Sequence, residues 1–227
     1  MANRVEFEFY VDCRHRVTLI LYPTASALQS NVTPNPNEFL SSCPVIDASA
    51  SVIVKQAADL AADSAIETAK RCFEFVRDQI RHSSDHRLNP VTCIASEVLE
   101  HRTGYCYAKS HLLCALLRAN NIPAGLCYQR LSIDGVGRPY CLHGLNAVFL
   151  PDYGWYRIDA RGNRSDVDAQ FSPPTEKLAF DILVSGESDL PGIFRQPHSS
   201  VTNCLFQSTD WPEVAENLPD VTFDSWP

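Results

Sequence analysis

A chain of 227 residues, 45% hydrophobic and 20% charged, is long enough to bury a real core in one domain. Its formal net charge of −8 speaks against a nucleic-acid partner, and it holds no apolar run of eighteen residues that would span a membrane. The N-terminus, Met1-Ala-Asn-Arg-Val-Glu-Phe-Glu-Phe9, alternates polar and apolar residues without a continuous apolar stretch, so it does not read as a signal peptide, and a cytoplasmic protein is expected.

Residues 4–10 and 16–22 have strand character and are able to pair across the polar interval 12–15. Residues 23–44, rich in Pro, Ser, Asn and Thr, read as loop. Helix signals begin near 47–52 and run through the alanine-rich stretch to Ala62; Asp63 then stands as a plausible N-cap for a second helix. Its apolar positions Ile66, Ala69, Phe73, Val76 and Ile80 recur every three or four residues, one face of an amphipathic helix. The run Arg81-His-Ser-Ser-Asp-His-Arg87 breaks that pattern, and a short helix over 94–100 stops near Gly104. From Cys106 an apolar face runs through Leu112, Leu113, Leu116 and Leu117 until Asn120-Asn-Ile-Pro123, where proline cannot continue the helix. Strands follow at 125–131 and 143–150, then a turn at Pro151-Asp-Tyr-Gly154 and a returning strand at 155–160.

Helices first and an antiparallel sheet after them define an α+β fold, with N-terminal helices packed on the sheet. One domain over 1–227 is expected, with its core at about 50–165, a strand and loop region at 1–46 and a Pro-rich extension at 190–227. In the C-terminal part we expect a helix at 176–183, a turn at 211–217, and Phe and Trp side chains packed over the core.

Nine cysteines are an odd number, and no two lie closer than eight positions apart. That spacing excludes Cys-x-x-Cys redox and zinc-ribbon patterns and fits a reducing compartment. Cys72 and Cys114 fall within helical patterns and read as small buried hydrophobes. Cys106 differs because a helix begins there. A thiol at that point sees unpaired N–H groups and the positive end of the helix dipole, and both favour the thiolate, which is the nucleophile.

Such a nucleophile needs a base, and the base needs an acceptor that sets its tautomer. Of seven histidines, His111 points about 140° around the helix from Cys106, at about 100° per residue. His82, His86 and His101 lie in or beside breaks, and His15 and His198 lie near the ends. His143 opens a strand whose partner carries Asp159, and the turn at 151–154 brings the two opposite or nearly opposite. Opposed Cβ atoms lie about 4.5–5.5 Å apart, close enough for an imidazole–carboxylate hydrogen bond. Each member also has a plainer reading: Cys106 as a buried hydrophobe, His143 as a satisfied strand histidine, Asp159 as a turn residue or a partner for Arg161.

The stretch from Arg77 to Asp85, the stretch from Ser96 through Gly104-Tyr-Cys-Tyr-Ala-Lys-Ser-His111 to Ile122-Pro-Ala124, and His143-Gly-Leu-Asn to Tyr153-Gly-Trp-Tyr-Arg-Ile-Asp159 together resemble the transglutaminase-like superfamily. The resemblance covers roughly residues 50–165, in the family order Cys, His, Asp. It implies a papain-like α+β core and thioester chemistry, with Cys106 as nucleophile, His143 as base and Asp159 as orienting acid. Two motifs depart from the family: His143-Gly144-Leu145 stands where His-Ala-Trp is common, and Asp159-Ala160-Arg161 where Asp-Pro-Thr is common. Both departures alter the groove wall, so the substrate does not carry over.

The expected activity is hydrolysis of an amide or peptide bond in a peptide or protein, with no metal or cofactor required. A transglutaminase passing a glutaminyl acyl group to an amine is one rival, and a non-catalytic scaffold of the same fold is another. The backbone N–H of Cys106 is the expected first oxyanion donor, with an upstream polar residue near His82 as the second. Cys141-x-His143 offers two zinc-ligand types, but no partner pair lies near them. Residues 191–227 are expected to cap the site.

Overall fold

The computed structural model describes the backbone of residues 9–11 and 17–19, and residues 33–222, 225 and 226. The chain separates into two compact units, Met1–Pro34 and Asn35–Pro227. In the first, strands β1 (Phe9–Val11) and β2 (Val17–Leu19) pair antiparallel, with Phe9 opposite Leu19. This is the pairing expected across the 12–15 interval; the expected strand residues 4–8 and 20–22, and the loop reading of 23–32, lie outside the described residues.

In the second unit, irregular chain and a 3-10 turn at Pro36–Phe39 lead into α1 (Ser51–Leu60) and α2 (Ala65–Gln79). Ser64, not Asp63, caps α2: its hydroxyl accepts the Glu67 N–H at 3.2 Å, so the helix starts one residue later than expected. Ala69, Phe73, Val76 and Ile80 are buried as their spacing predicts. The break after Ile80 holds β3 (Arg81–His82) and α3 (Ser83–His86), followed by α4 (Ala95–His101) and β4 (Thr103–Gly104), which pairs parallel with β3. Arg102, at φ 55°, ends α4 in the left-handed region. Gly104 instead meets a packing demand, because a Cβ there would lie 3.0 Å from the Ala108 Cβ.

Helix α5 (Cys106–Ala119) is the core of the unit. The expectation of one apolar face understates it: every residue from Cys106 to Arg118 is buried. Helices α1, α2 and α4 pack around it, and its remaining side lies on strands β5 (Ala124–Ser132) and β6 (Tyr140–Leu150). A helix enclosed this way must satisfy its polar side chains internally. Arg118 does so by donating to the carbonyls of Ala124, Ser41 and Arg195 at 3.0, 2.6 and 2.8 Å. His111 bonds the Cys93 carbonyl through Nδ1 at 2.8 Å, and burial pushes its pKa down to about 4, so it is a neutral structural group.

Strands β7 (Gly154–Ile158) and β8 (Ser188–Phe194) complete an antiparallel sheet ordered β7-β6-β5-β8. The architecture is α+β, helices on an antiparallel sheet. The C-terminal part corrects three expectations. No helix forms at 176–183; the segment runs irregularly across the sheet, bridged to Gln170 at Lys177, and its N–H groups serve partners elsewhere. Residues 211–217 are not a bare turn but carry helix α7 (Trp211–Glu216), capped by Asp210, whose carboxylate accepts the Glu213 N–H at 3.0 Å. The Pro-rich extension also supplies β8, which tolerates Pro191 because it is a sheet edge, and helix α6 (Ser199–Gln207). Phe194, Trp211 and Trp226 pack partly buried against the core, as expected. Among the described residues, no helix is long and apolar enough to cross a membrane.

Candidate active site

Cys106 is the first residue of α5, after an extended Tyr105 that makes no side-chain cap. The first-turn N–H groups therefore lack intrahelical partners at the sulfur's end of the helix. Two ties hold that turn in place. The Ser110 hydroxyl donates to the Cys106 carbonyl at 2.8 Å, and the fully buried Tyr107 donates its hydroxyl to the Leu142 carbonyl on β6. The second tie needs a glycine opposite it. A Cβ on Gly144 would sit 3.0 Å from the Tyr107 ring and 3.2 Å from the Tyr107 Cα. The family-atypical His143-Gly144 is thus what lets β6 approach the first turn of α5.

His143 and Asp159 meet as the hairpin argument anticipates, with a diagonal offset. The β6–β7 ladder pairs Asn146 with Ile158, which sets Asp159, one residue on, diagonal to His143. Asp159 Oδ2 lies 2.7 Å from His143 Nε2 and also accepts the Ala179 N–H at 3.0 Å. Its Oδ1 accepts the Arg161 N–H at 3.1 Å. With Nε2–H given to the carboxylate, Nδ1 is the nitrogen left to face the Cys106 thiol. Burial opposes charge on the His143 ring, but Asp159 and Cys106 outweigh it and lift its pKa to about 10. Burial likewise opposes charge on Asp159, but His143 and the two backbone N–H donors hold its pKa below the usual carboxylate value. The pair is therefore imidazolium and carboxylate at neutral pH.

The structure brings all three expected residues together, and it adds groups the sequence reading missed. Arg161 does not pair with Asp159 through its guanidinium; it holds Asp85 bidentately at 2.6 and 2.9 Å. Phe180, in the segment expected to be helical, stands edge-on to the His143 ring at 5.0 Å and shields it. Ala179 supplies a backbone N–H, which no side-chain pattern signals. Lys109 is 1% exposed and donates to the carbonyls of Ile80 and Arg77, where α2 ends and the chain turns toward His82. Burial is the main force lowering its pKa to about 7.

Cys106 and His143 share a cleft of about 670 Å³ with His82, Phe180, Leu183 and Leu218 among its walls. The C-terminal extension forms one side of it. Ala215 and Leu218 line the cleft, and the Pro219 carbonyl accepts the Leu142 N–H at 2.7 Å, next to His143 in sequence. Among the described residues, no group of three or more His, Cys, Asp or Glu is placed to hold a metal ion.

A helix-borne cysteine over an antiparallel sheet that carries a histidine–aspartate pair defines a papain-like class of α+β protein. Residues 54–160, just under half of the chain, match the family model of the transglutaminase-like superfamily, which supports a cysteine-type enzyme fold for the core. Among solved structures, the chain is similar to a protein from Cytophaga hutchinsonii proposed to be a cysteine protease, at 14% identity and a TM-score of 0.45, over 70% of this chain and 62% of that one. It is also similar to the periplasmic domain of TgpA from Pseudomonas aeruginosa, at 17% identity and a TM-score of 0.41, over 56% and 48% of the two chains. A TGase aligns at 16% identity and a TM-score of 0.38, over 64% of this chain and 38% of that one. The chain thus spans less than two thirds of the length of each. A search of the curated proteins found no match.

Proposed function

We propose that this chain is a cysteine-dependent acyl-transfer enzyme that hydrolyses an amide or peptide bond in a peptide or protein through a thioester on Cys106. The observation that carries this reading is the buried 2.7 Å hydrogen bond between His143 and Asp159, in one cleft with a cysteine at a helix start. The Cys106 sulfur attacks the carbonyl carbon, and the oxyanion that forms meets the Cys106 backbone N–H. The His143 imidazolium gives its Nδ1 proton to the departing amine, leaving a neutral ring. That ring then takes a proton from water as water attacks the thioester carbon, and the thiolate is released. Asp159 keeps Nε2–H oriented throughout and stabilises the charged ring. Hydrolysis is favoured over amine transfer because the cleft opens to solvent and water is always at hand.

The test is alkylation of Cys106 by iodoacetamide, mapped by mass spectrometry, in the wild type and in His143→Ala. Below neutral pH, Cys106 is expected to react faster than the other eight cysteines, and only while His143 is present. A Cys106 no faster than its neighbours would reject the thiolate–imidazolium pair. Product analysis then separates hydrolysis, which leaves a free carboxylate, from incorporation of a labelled amine.

A further inference from the structure

Two imidazoles line the cleft, and the mechanism above uses one. His82 pairs with Gly104 across β3 and β4, two residues before Cys106 in the chain that follows. The residue is 8% exposed, and its Nδ1 is buried with no hydrogen-bond partner. Asp85 Oδ1 lies 3.7 Å from that nitrogen. Asp85 cannot swing freely, since Arg161 holds both its oxygens and Arg164 holds Oδ1 at 3.0 Å. The Tyr105 ring packs edge-on at 5.3 Å and fixes the imidazole plane.

This arrangement sets the tautomer. A bare lone pair at Nδ1 would point toward a carboxylate, so the proton belongs on Nδ1 and the lone pair on Nε2. Burial, then the charges of Arg161, Lys109 and His143, keep the ring neutral against the pull of Asp85. One cleft therefore holds an imidazolium at His143 and a neutral, acceptor imidazole at His82. A ring whose free nitrogen has only a lone pair to offer cannot hold an oxyanion. It suits a group with a hydrogen to give.

We propose that His82 Nε2 accepts a hydrogen bond from the acyl acceptor as it attacks the Cys106 thioester, so that the site favours acceptors with two hydrogens on the nucleophilic atom: water or a primary amine. The proposal rests on the thioester reading above. In the step itself, the acceptor oxygen or nitrogen bonds to the thioester carbon, and one of its hydrogens passes as a proton to Nδ1 of neutral His143. The carbon–sulfur bond breaks with its electron pair on Cys106, while the second hydrogen stays on the acceptor and is held by His82. An alcohol or a secondary amine has no second hydrogen once the first is transferred.

The experiment uses p-nitrophenyl acetate as acyl donor and compares methylamine with dimethylamine as competing acceptors. Wild-type enzyme is expected to prefer methylamine about tenfold more than ethyl thioacetate does in free solution, the value of one lost hydrogen bond. In His82→Phe that excess is expected to vanish while the p-nitrophenolate burst falls by less, and His82→Gln, whose carbonyl accepts, keeps part of it. An unchanged preference in His82→Phe with the burst intact overturns the proposal alone. Burst and preference falling together also overturn it, since that pattern belongs to an oxyanion or structural role. No excess in the wild type over the solution reference overturns it without any variant. A wild type with no burst dependent on Cys106 removes the thioester reading and this proposal with it.

Discussion

Asp159 is fully buried and accepts three hydrogen bonds, one at Oδ1 and two at Oδ2. Replacing it by asparagine puts an NH₂ against a donor in either orientation. Asp159→Asn is therefore expected to cost about 2–4 kcal/mol by urea unfolding, and to slow Cys106 alkylation at neutral pH to the His143→Ala rate. Wild-type stability in this variant would mean the carboxylate's bonds are not needed. The two perturbed basic groups, His143 and Lys109, make opposite predictions with pH. His143, raised to about 10, adds stability that is complete below its unfolded value near 6.5 and is lost as pH rises through about 10. Lys109, lowered to about 7, binds fewer protons folded than unfolded between that value and 10.5, so its contribution improves with rising pH across that window. In urea midpoints from pH 6 to 10, the wild-type advantage over His143→Gln should shrink while that over Lys109→Met grows. Parallel slopes would contradict both assignments.

Among the elements, the contact that decides the chemistry is α5 on β6. Gly144 lets the strand come within van der Waals reach of the Tyr107 backbone, and the Tyr107 hydroxyl binds the Leu142 carbonyl beside it. Gly144→Ala has no rigid-body solution that keeps both, because the obstructing atoms include backbone. It is expected to cost about 1–3 kcal/mol as overpacking, and to move the first turn of α5 away from His143. The diagnostic result is a Cys106 alkylation rate that no longer depends on His143. If that dependence survives with wild-type stability, the close approach has slack. Helix α5 itself shows why an element this central is buried all round: with helices on three sides and a sheet on the fourth, Lys109, His111 and Arg118 end on backbone carbonyls rather than in solvent.

At the level of the whole unit, the C-terminal extension is wall and brace together. Residues 188–194 are a sheet strand, and Ala215 and Leu218 line the cleft, so a truncation that spares both and tests what tethers that wall begins at Pro219. Removing 219–227 frees the Leu142 N–H and takes away Asp220, which binds Arg130 at 2.6 and 2.7 Å, along with the Trp226 stack on His198. The expected loss is about 1–3 kcal/mol, since the ion pair is partly exposed and counts for little. Alkylation of Cys106 should become several-fold faster, as Leu218 loses the Pro219–Leu142 tie that holds it against the cleft, an effect that timed mass spectrometry reads separately from thermal melts. An unchanged rate would show that this tether does not limit access.

Local pattern was enough to place Cys106 at a helix start and to set His143 near Asp159, because a helix cap and a short hairpin are decided by residues a few positions apart. The three- and four-residue spacing in α2 reported its buried face for the same reason. The Asp85–Arg161 pair, the Ala179 N–H on Asp159 and the unspent nitrogen of His82 were not legible. Each joins segments whose meeting depends on the path of the loops between them and on shape complementarity across the core. Pattern also misread the later chain: scattered prolines hid an edge strand that tolerates one of them, Pro191, and a helical propensity at 176–183 lost to an irregular path on which the Ala179 N–H bonds Asp159. Nearest-neighbour chemistry sets which cysteine starts a helix, whereas the charge state of each imidazole depends on burial and on charges such as that of Arg161 on His82, far apart in sequence, which only the folded chain brings together.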